Sequence, residues 1–195
     1  MSKDGKLLYH LTALANLESI FQNGLQSRAA LATGDFEDVA DGEIINSRQR
    51  HNLDQYVPFH FFAKSPFEYG VQRAHPDQDF VLVTVRRAVA QANNWQIVPR
   101  HPLAEEGYQM LNYDEGVEAI DWALIEQRNY EDRACKVACM AECLSLDAVS
   151  ADKIFSIYVK TREVENEVRT LVHKYRIDCH INLRVHMFAG DVNDV

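Results

Sequence analysis

The stretch YVPFHFFAKSPFEYGV, Tyr56–Val71, holds four Phe, two Tyr and two Val within sixteen residues. Its first half alternates in the manner of a strand, with Val57, Phe59 and Phe61 on the core face, while His60 and Phe62 face the other way. Pro58 interrupts this pattern. Because proline donates no hydrogen bond to a ladder, Pro58 predicts an edge or bulge position beside an opening.

The second half of the stretch is typical of a helix start. Ser65 stands where an N-cap is expected, Pro66 at the first helical position and Glu68 at the third, which is the pattern of a capping box. The free N–H groups of such a start can face an anionic ligand. We therefore expect a strand beside an opening, followed by a helix at its rim.

The remaining elements are spread along the chain without regular βαβ alternation, which predicts a mixed α+β fold. Residues 32–43 and 101–116 are expected to be loops. Helices are predicted at residues 16–25, at 117–145 as one or two helices with Ile120, Ala123 and Leu124 forming an apolar stripe, and at 164–176. Strands are predicted at residues 7–12, 79–87 (with Val81, Val83 and Val85 on one face), 94–99, 153–161 and 179–185.

Length and composition predict one globular domain, residues 1–195, in which 47% of the residues are hydrophobic. No apolar run reaches the roughly 18 residues of a membrane span, and the first residues lack the apolar segment of a secretory signal. We therefore expect a cytoplasmic protein with no membrane partner.

The formal charge of −9 argues against a protein that coats nucleic acid. The charge is uneven, however, since residues 44–100 carry 7 Lys+Arg against 4 Asp+Glu, a net +3. A locally basic face is compatible with this distribution.

Three cysteines, Cys135, Cys139 and Cys143, follow an i, i+4, i+8 spacing that would align them along one side of a helix. The spacing is not one that zinc sites use, so a cysteine-lined buried face is favoured over a metal site.

The sequence lacks the phosphate-binding loop, the dinucleotide-binding glycine pattern, the nucleophile elbow and the paired helical histidines of zinc proteases. Glu142 stands out, because small and apolar residues flank it and a buried carboxylate is costly unless it is paired. A helix-end Glu facing water is the alternative. For His10 a structural role remains open, and for Arg48 and Arg50 so does plain surface charge.

Five segments stand in order along the chain, namely LYHLTALANLESIFQNGL, IINSR, the Tyr56–Val71 block, AIDW and MAECLSLDAVSADKIFSIYV. Together, over residues 8–159, they resemble the DarT family of DNA ADP-ribosyltransferase toxins. The Tyr56–Val71 block is the most specific of them. It differs from the family pattern at His60, where Tyr is usual, and at Phe67, where Met is usual.

The resemblance implies a split, mostly antiparallel sheet that clamps NAD+ in a cleft, without a metal. By carry-over, Glu142 is the catalytic acidic residue and Arg48 the catalytic arginine, with Arg50 as the alternative. Residues 101–133 would include the target-recognition loop, whose Tyr108, Tyr113 and Trp122 would stack on a base unless they pack in the core. The implied NAD+-binding residues are His10, Leu11, Thr12, Ser19, Ser27, Arg48, Tyr56, Phe61, Ser65 and Tyr69.

The implied activity is transfer of ADP-ribose from NAD+ to a base in single-stranded DNA. A carboxylate bonded to the ribose 2′-OH would stabilise the oxocarbenium-like charge that develops as nicotinamide leaves. The arginine would hold the NAD+ phosphates or help to remove the proton of the acceptor base. Because an arginine is normally too basic to accept a proton, the physical argument favours holding phosphates or positioning groups, whereas the resemblance implies a direct catalytic role. An RNA or protein acceptor and a non-catalytic NAD+-binding module remain alternatives. The implied partner is a cognate antitoxin, a macrodomain-type or similar hydrolase.

Overall fold

The computed structural model describes residues 2–31, 36–37, 48–102 and 109–190. Most of the expected loop at 32–43, the start of the IINSR segment and Tyr108 lie outside these residues. The described strands are β1 (Leu7–Ala13), β2 (Val57–His60), β3 (Phe80–Arg86), β4 (Gln96–Val98), β5 (Glu142–Ser145), β6 (Ile154–Val159) and β7 (His180–Leu183). The helices are α1 (Leu17–Asn23), α2 (Pro66–Ala74), α3 (Arg87–Ala92), α4 (Tyr113–Ala119), α5 (Trp122–Gln127), α6 (Arg133–Ala138) and α7 (Arg162–Tyr175).

The described strands form one sheet in the order β4-β5-β2-β1-β3-β6-β7. Every neighbouring pair is antiparallel except β6 and β7, which run parallel. Helices flank the sheet. The mixed, mostly antiparallel architecture confirms the predicted fold class.

The sheet splits between β1 and β2. Strand β1 pairs with β3 from Leu7 to Ala13, yet it pairs with β2 only at Tyr9 and His60. Beyond that point Pro58 has no N–H to donate, and the ring of His10 bonds its carbonyl instead, with Nδ1 2.8 Å from the oxygen. Pro58 thus marks an opening, as expected, but β2 is an interior strand because it pairs along its full length with β5.

The two faces of the sheet carry separate apolar clusters. Val81, Val83 and Val85 pack with Phe59 and Phe61 on one face, as predicted. The opposite face holds a smaller cluster of Leu11, Val71, Phe80, Leu82 and Phe188. Phe62 was expected to face away from the phenylalanines, but it joins the larger cluster, because the strand ends at His60 and the alternation ends with it.

Local signals place the ends of two helices near the opening. Helix α1 ends at Gly24, whose φ of 79° is readily reached only by glycine. Helix α2 begins with the predicted capping box, in which Ser65 and Glu68 each bond the other's backbone N–H.

The predicted helical stretch at 117–145 is wrong at its end, where residues Glu142–Ser145 form strand β5. Cys135 lies in α6, Cys139 at its C-cap and Cys143 on β5, so the cysteines do not share a helix, although all three are buried in the larger cluster. The predicted stripe also fails, since Ile120 caps α4 and Ala123 is exposed. Helix α4 begins at Tyr113, inside the expected loop. None of the helices in the described residues is long and apolar enough to cross a membrane.

Candidate active site

A cleft opens where β1 and β2 diverge. The sheet contributes one wall, through residues of β1, β2 and the start of β5. Helix α1, the segment after Gly24 and residues 36–37 contribute the other. The chemically functional residues that line the cleft are His10, Thr12, Asn16, Ser19, Gln26, Arg28, Glu37, Arg48, Asp54, Tyr56, His60, His101 and Glu142.

Glu142 is the first residue of β5 and pairs across the sheet with His60 and Val98. Its position on a central strand buries it, leaving 4% of the residue exposed. Arg48 donates from Nη1 to both carboxylate oxygens, at 2.8 and 2.9 Å, and from Nη2 to the carbonyl of Leu53 at 3.4 Å. The alternative of a helix-end Glu facing water is therefore wrong, and the buried charge is paired.

Arg48 and Arg50 both fit the sequence pattern, and their positions differ. Arg48 lines the cleft and bonds Glu142. Arg50 is exposed and is not among the described residues that line the cleft. The geometry therefore favours Arg48 for the role at the site.

The other strand at the opening contributes His10, Leu11 and Thr12, and all three line the cleft. Burial lowers the pKa of His10 to about 4, against the opposing effect of its bond to the Pro58 carbonyl. The ring is consequently neutral at pH 7, with Nδ1–H donating to that carbonyl and Nε2 carrying a lone pair.

Asn16 ties the outer wall of the cleft to β1. Its Nδ2 donates to Thr12 Oγ1 at 3.2 Å and to the carbonyl of Glu37 at 3.0 Å, while its Oδ1 accepts from the N–H of Glu37 at 2.7 Å. Nearby, the guanidinium of Arg28 lies 5.4 Å from the centre of the Phe36 ring. No local sequence pattern marks Asn16, since only the path of a distant segment gives it this function.

Two further imidazoles approach the ion pair and were not assigned roles from the sequence. His60 is buried, and its Nδ1 lies 3.2 Å from the carbonyl of Ala141. Burial lowers the pKa of both His60 and His101, with Glu142 opposing the shift and Arg48 reinforcing it. His60 stood out in the sequence only as a departure from the family pattern, and His101 carried no signal.

Some of the expected NAD+-binding residues lie in the cleft wall and others do not. Ser19 and Tyr56 line it, as does Phe67 from the same block. Ser27 lies between two lining residues without being one itself. Three others do not line the cleft. Phe61 packs in the core, the Ser65 hydroxyl caps helix α2, and the ring of Tyr69 lies beside Arg73.

The residues expected to stack on a base are placed differently. Tyr113 is buried in the core, and Trp122 packs edge-on against Phe61 while its indole N–H donates to the carbonyl of Val117. From the expected target-recognition region, His101 and Pro102 reach the cleft. The described residues contain no group of three or more His, Cys, Asp or Glu side chains arranged to hold a metal ion.

Residues 9–189 match the family described as DarT, ssDNA thymidine ADP-ribosyltransferase. The chain belongs to the DarT family. A curated DNA ADP-ribosyl transferase from Thermus aquaticus is 25% identical over an alignment 193 residues long, and the aligned parts are 92% of this chain and 86% of that protein. The family resemblance inferred from the five sequence segments is thereby confirmed.

Solved DarT structures share this fold. Thermus sp. 2.9 DarT in complex with ADP-ribosylated ssDNA matches with a TM-score of 0.82 at 20% identity, over 95% of this chain and 97% of that one. The same protein in complex with NAD+ gives 0.77 at 18% identity, over 95% and 98%. Thermosipho africanus DarTG in complex with ADP-ribose gives 0.78 at 20% identity, over 94% of this chain and 51% of that one.

Proposed function

We propose that this protein uses NAD+ to ADP-ribosylate a thymidine base in single-stranded DNA and releases nicotinamide. The observation that carries the proposal is the buried Arg48–Glu142 pair at the split of the sheet. Family membership supports it, as does the fold shared with a DarT in complex with NAD+ and with ADP-ribosylated ssDNA.

In the proposed reaction, the bond from ribose C1′ to nicotinamide breaks and a bond from C1′ to the base nitrogen forms. Positive charge develops on the ribose as nicotinamide leaves. The Glu142 carboxylate would accept a hydrogen bond from the ribose 2′-OH and stabilise that charge. Its burial strengthens this effect, because few water dipoles compete inside the cleft.

Arg48 would hold the Glu142 carboxylate in a fixed orientation. Its Nη1 contacts both oxygens of Glu142, and its second nitrogen is anchored on the Leu53 carbonyl. Since a guanidinium does not lose its proton at neutral pH, this positioning role is favoured over that of a base.

We place the nicotinamide end of NAD+ beside His10 and Thr12, and the remainder along Ser19, Gln26 and Arg28. The guanidinium of Arg28 supplies positive charge on the wall opposite the sheet, where the pyrophosphate would lie. NAD+ is a substrate here and no metal takes part in the proposed chemistry.

We further propose that the protein acts in the cytoplasm as a toxin, and that a cognate antitoxin removes the ADP-ribosyl group from the DNA base or blocks its addition. The resemblance to DarT toxins and the similarity to a DarTG protein support this part. Induction in a bacterial host is expected to stop growth with the wild-type chain and not with Glu142→Gln. Equal toxicity of the two would contradict it.

The proposed activity is tested by incubating the protein with labelled NAD+ and separate pools of single-stranded DNA, duplex DNA, RNA and cell protein. Label is expected on single-stranded DNA that contains thymidine. Oligonucleotides lacking one base at a time identify the acceptor. Label on RNA or protein alone would show that the acceptor is not single-stranded DNA. Binding of NAD+ without release of nicotinamide would favour a non-catalytic module.

A further inference from the structure

The proposed transfer leaves one proton unassigned. A base nitrogen that attacks C1′ must lose its hydrogen, and neither member of the ion pair is suited to take it. Arg48 stays charged, and the Glu142 carboxylate is engaged by Arg48 and, in the reaction, by the ribose. A neutral group with a free lone pair beside Glu142 would complete the chemistry.

His60 has these properties. It is the cross-strand partner of Glu142, which brings the Cβ atoms of such a pair within about 5.5 Å on the same face of the sheet. Because the Ala141 carbonyl can only accept, Nδ1 of His60 carries the hydrogen and Nε2 carries the lone pair. Nε2 makes no hydrogen bond within the part of the chain that the structure describes, and the residue lines the cleft.

Burial also keeps the ring neutral at pH 7, because it lowers the pKa of His60 below its ordinary value. The groups that face it are Glu142 on β5, Arg48, His101 and, across the split, His10. Glu142 would stabilise the imidazolium that forms when the ring accepts a proton, since its charge is opposite and adjacent.

We propose, resting on the proposed function, that His60 is the group that accepts the proton of the acceptor base. As the base nitrogen bonds to C1′ and nicotinamide leaves with the electron pair of the broken bond, the N–H proton passes to Nε2 of His60. The imidazolium then returns this proton to solvent. His60 would thereby favour transfer to DNA over hydrolysis of NAD+. Water attacks C1′ through a free lone pair and can pass its proton to solvent afterwards, whereas the base nitrogen must give up its hydrogen as the bond forms.

Two substitutions that each keep part of the shape of the His60 side chain distinguish proton acceptance from hydrogen bonding and from a structural role. His60→Asn keeps an amide donor near the Ala141 carbonyl and removes the group at the Nε2 position. His60→Gln places a non-basic amide at that position. The rates of transfer to a thymidine oligonucleotide and of NAD+ hydrolysis without DNA are measured for both variants and for the wild type.

Both variants are expected to lose at least about 100-fold in transfer, the usual contribution of a general base, while hydrolysis changes by no more than a few-fold. Full transfer by His60→Gln would overturn the proposal, because a hydrogen bond would then suffice. Equal losses of transfer and hydrolysis in both variants would also overturn it, since they indicate a role in holding NAD+ or the fold.

His60→Tyr supplies a further test with a side chain typical of the family. A phenol has a pKa of about 10 in water, so the rise of transfer with pH is expected to move to higher pH than in the wild type. An unchanged profile contradicts the role of His60. If the wild type labels no oligonucleotide at all, the proposed function fails instead, and the two failures are thereby distinguished.

Discussion

Arg48 and Glu142 share a buried environment that makes each dependent on the other. Side-chain exposures of 16% and 6% leave little water to solvate either charge. We expect Arg48→Ala to lower the free energy of unfolding by about 3 kcal/mol, because it leaves the carboxylate buried and unpaired. Adding Glu142→Gln to that variant should restore part of the loss. Urea unfolding of the single and double variants measures both effects.

Arg50→Ala is the matched control, since this arginine is two residues away and exposed. We expect it to change the free energy of unfolding by no more than about 0.5 kcal/mol. Equal losses for the two arginines would show that the ion pair contributes nothing specific to stability.

Glu68 connects stability to pH. The residue is fully buried, and its Oε2 accepts a hydrogen bond from the backbone N–H of Ser65. Its other carboxylate oxygen, Oε1, has no hydrogen-bond partner within the described part of the chain. Burial raises its pKa from 4.5 to about 8. A raised pKa means that the folded protein favours the protonated form of Glu68. The contribution of this group to the free energy of unfolding is therefore complete below pH 4.5 and is lost as the pH rises through 8.

The native protein should therefore lose on the order of 3 kcal/mol of stability between pH 5 and pH 8 through this group. We expect Glu68→Gln, which cannot ionise, to reduce that loss, as measured by urea unfolding at the two values. The same pH dependence in the wild type and the variant would contradict the raised pKa.

At the site, the sequence predicted individual residues better than their partners. Small and apolar neighbours made Glu142 a candidate for a buried carboxylate, although an exposed helix-end Glu remained the alternative. The identity of its partner required a contact across 94 positions of sequence, which no local pattern contains. For the same reason the positions of His60 and His101 beside that pair followed only from the structure.

Helix α1 and the cleft wall are joined through Asn16. Asn16→Asp keeps one acceptor for the N–H of Glu37 but places a carboxylate oxygen against the carbonyl that Nδ2 now bonds. We expect the KM for NAD+ to rise about tenfold with little change in kcat, since the loss of one or two hydrogen bonds affects binding and Asn16 does not contact Glu142. Initial rates of nicotinamide release against NAD+ concentration measure this.

Gln22→Glu is the control, because Gln22 lies on the same helix, is exposed and donates a hydrogen bond to Tyr175 Oη at 2.6 Å without lining the cleft. It should leave the KM within about twofold of the wild-type value. A tenfold rise in both variants would mean that added charge, and not the link to Glu37, alters binding.

Two glycines in helices distinguish the effect of tight packing on stability from the effect of helix propensity. A Cβ at Gly116 in α4 would lie 2.2 Å from Cβ of Ile97 on β4, whereas a Cβ at Gly70 in α2 meets nothing within 4 Å. We expect Gly116→Ala to destabilise the fold by about 2 kcal/mol or more. Gly70→Ala should stabilise it by about 0.5–1 kcal/mol. Thermal unfolding of both variants distinguishes them, and changes of the same sign would refute this packing.

The elements themselves were predictable to different degrees. Strand β3 and helices α1, α2 and α7 carry clear periodicity or caps, and the structure confirms them. The ECLS segment reads as helix because it follows the helical pattern of the preceding residues. It becomes β5 because it fills the gap between β2 and β4 and pairs with both. Pairing partners so distant in sequence override local propensity.

For the whole molecule, the split in the sheet is the feature that connects fold to activity. Composition and periodicity predicted an α+β fold, and the family resemblance predicted the split and the bound NAD+. The single β1–β2 pair and the His10 contact to Pro58 give the split a physical cause in this chain. The net charge of −9 is consistent with an enzyme that holds DNA locally and not along its length.

We propose above all that Glu142 is required for transfer of ADP-ribose to single-stranded DNA. Mass analysis of a thymidine-containing oligonucleotide, after incubation with NAD+ and either the wild type or Glu142→Gln, tests this role most directly. We predict that the wild type adds the mass of one ADP-ribosyl group to a thymidine base, and that Glu142→Gln adds none. An unmodified oligonucleotide with the wild type, or an equal gain of mass with Glu142→Gln, would contradict the claim.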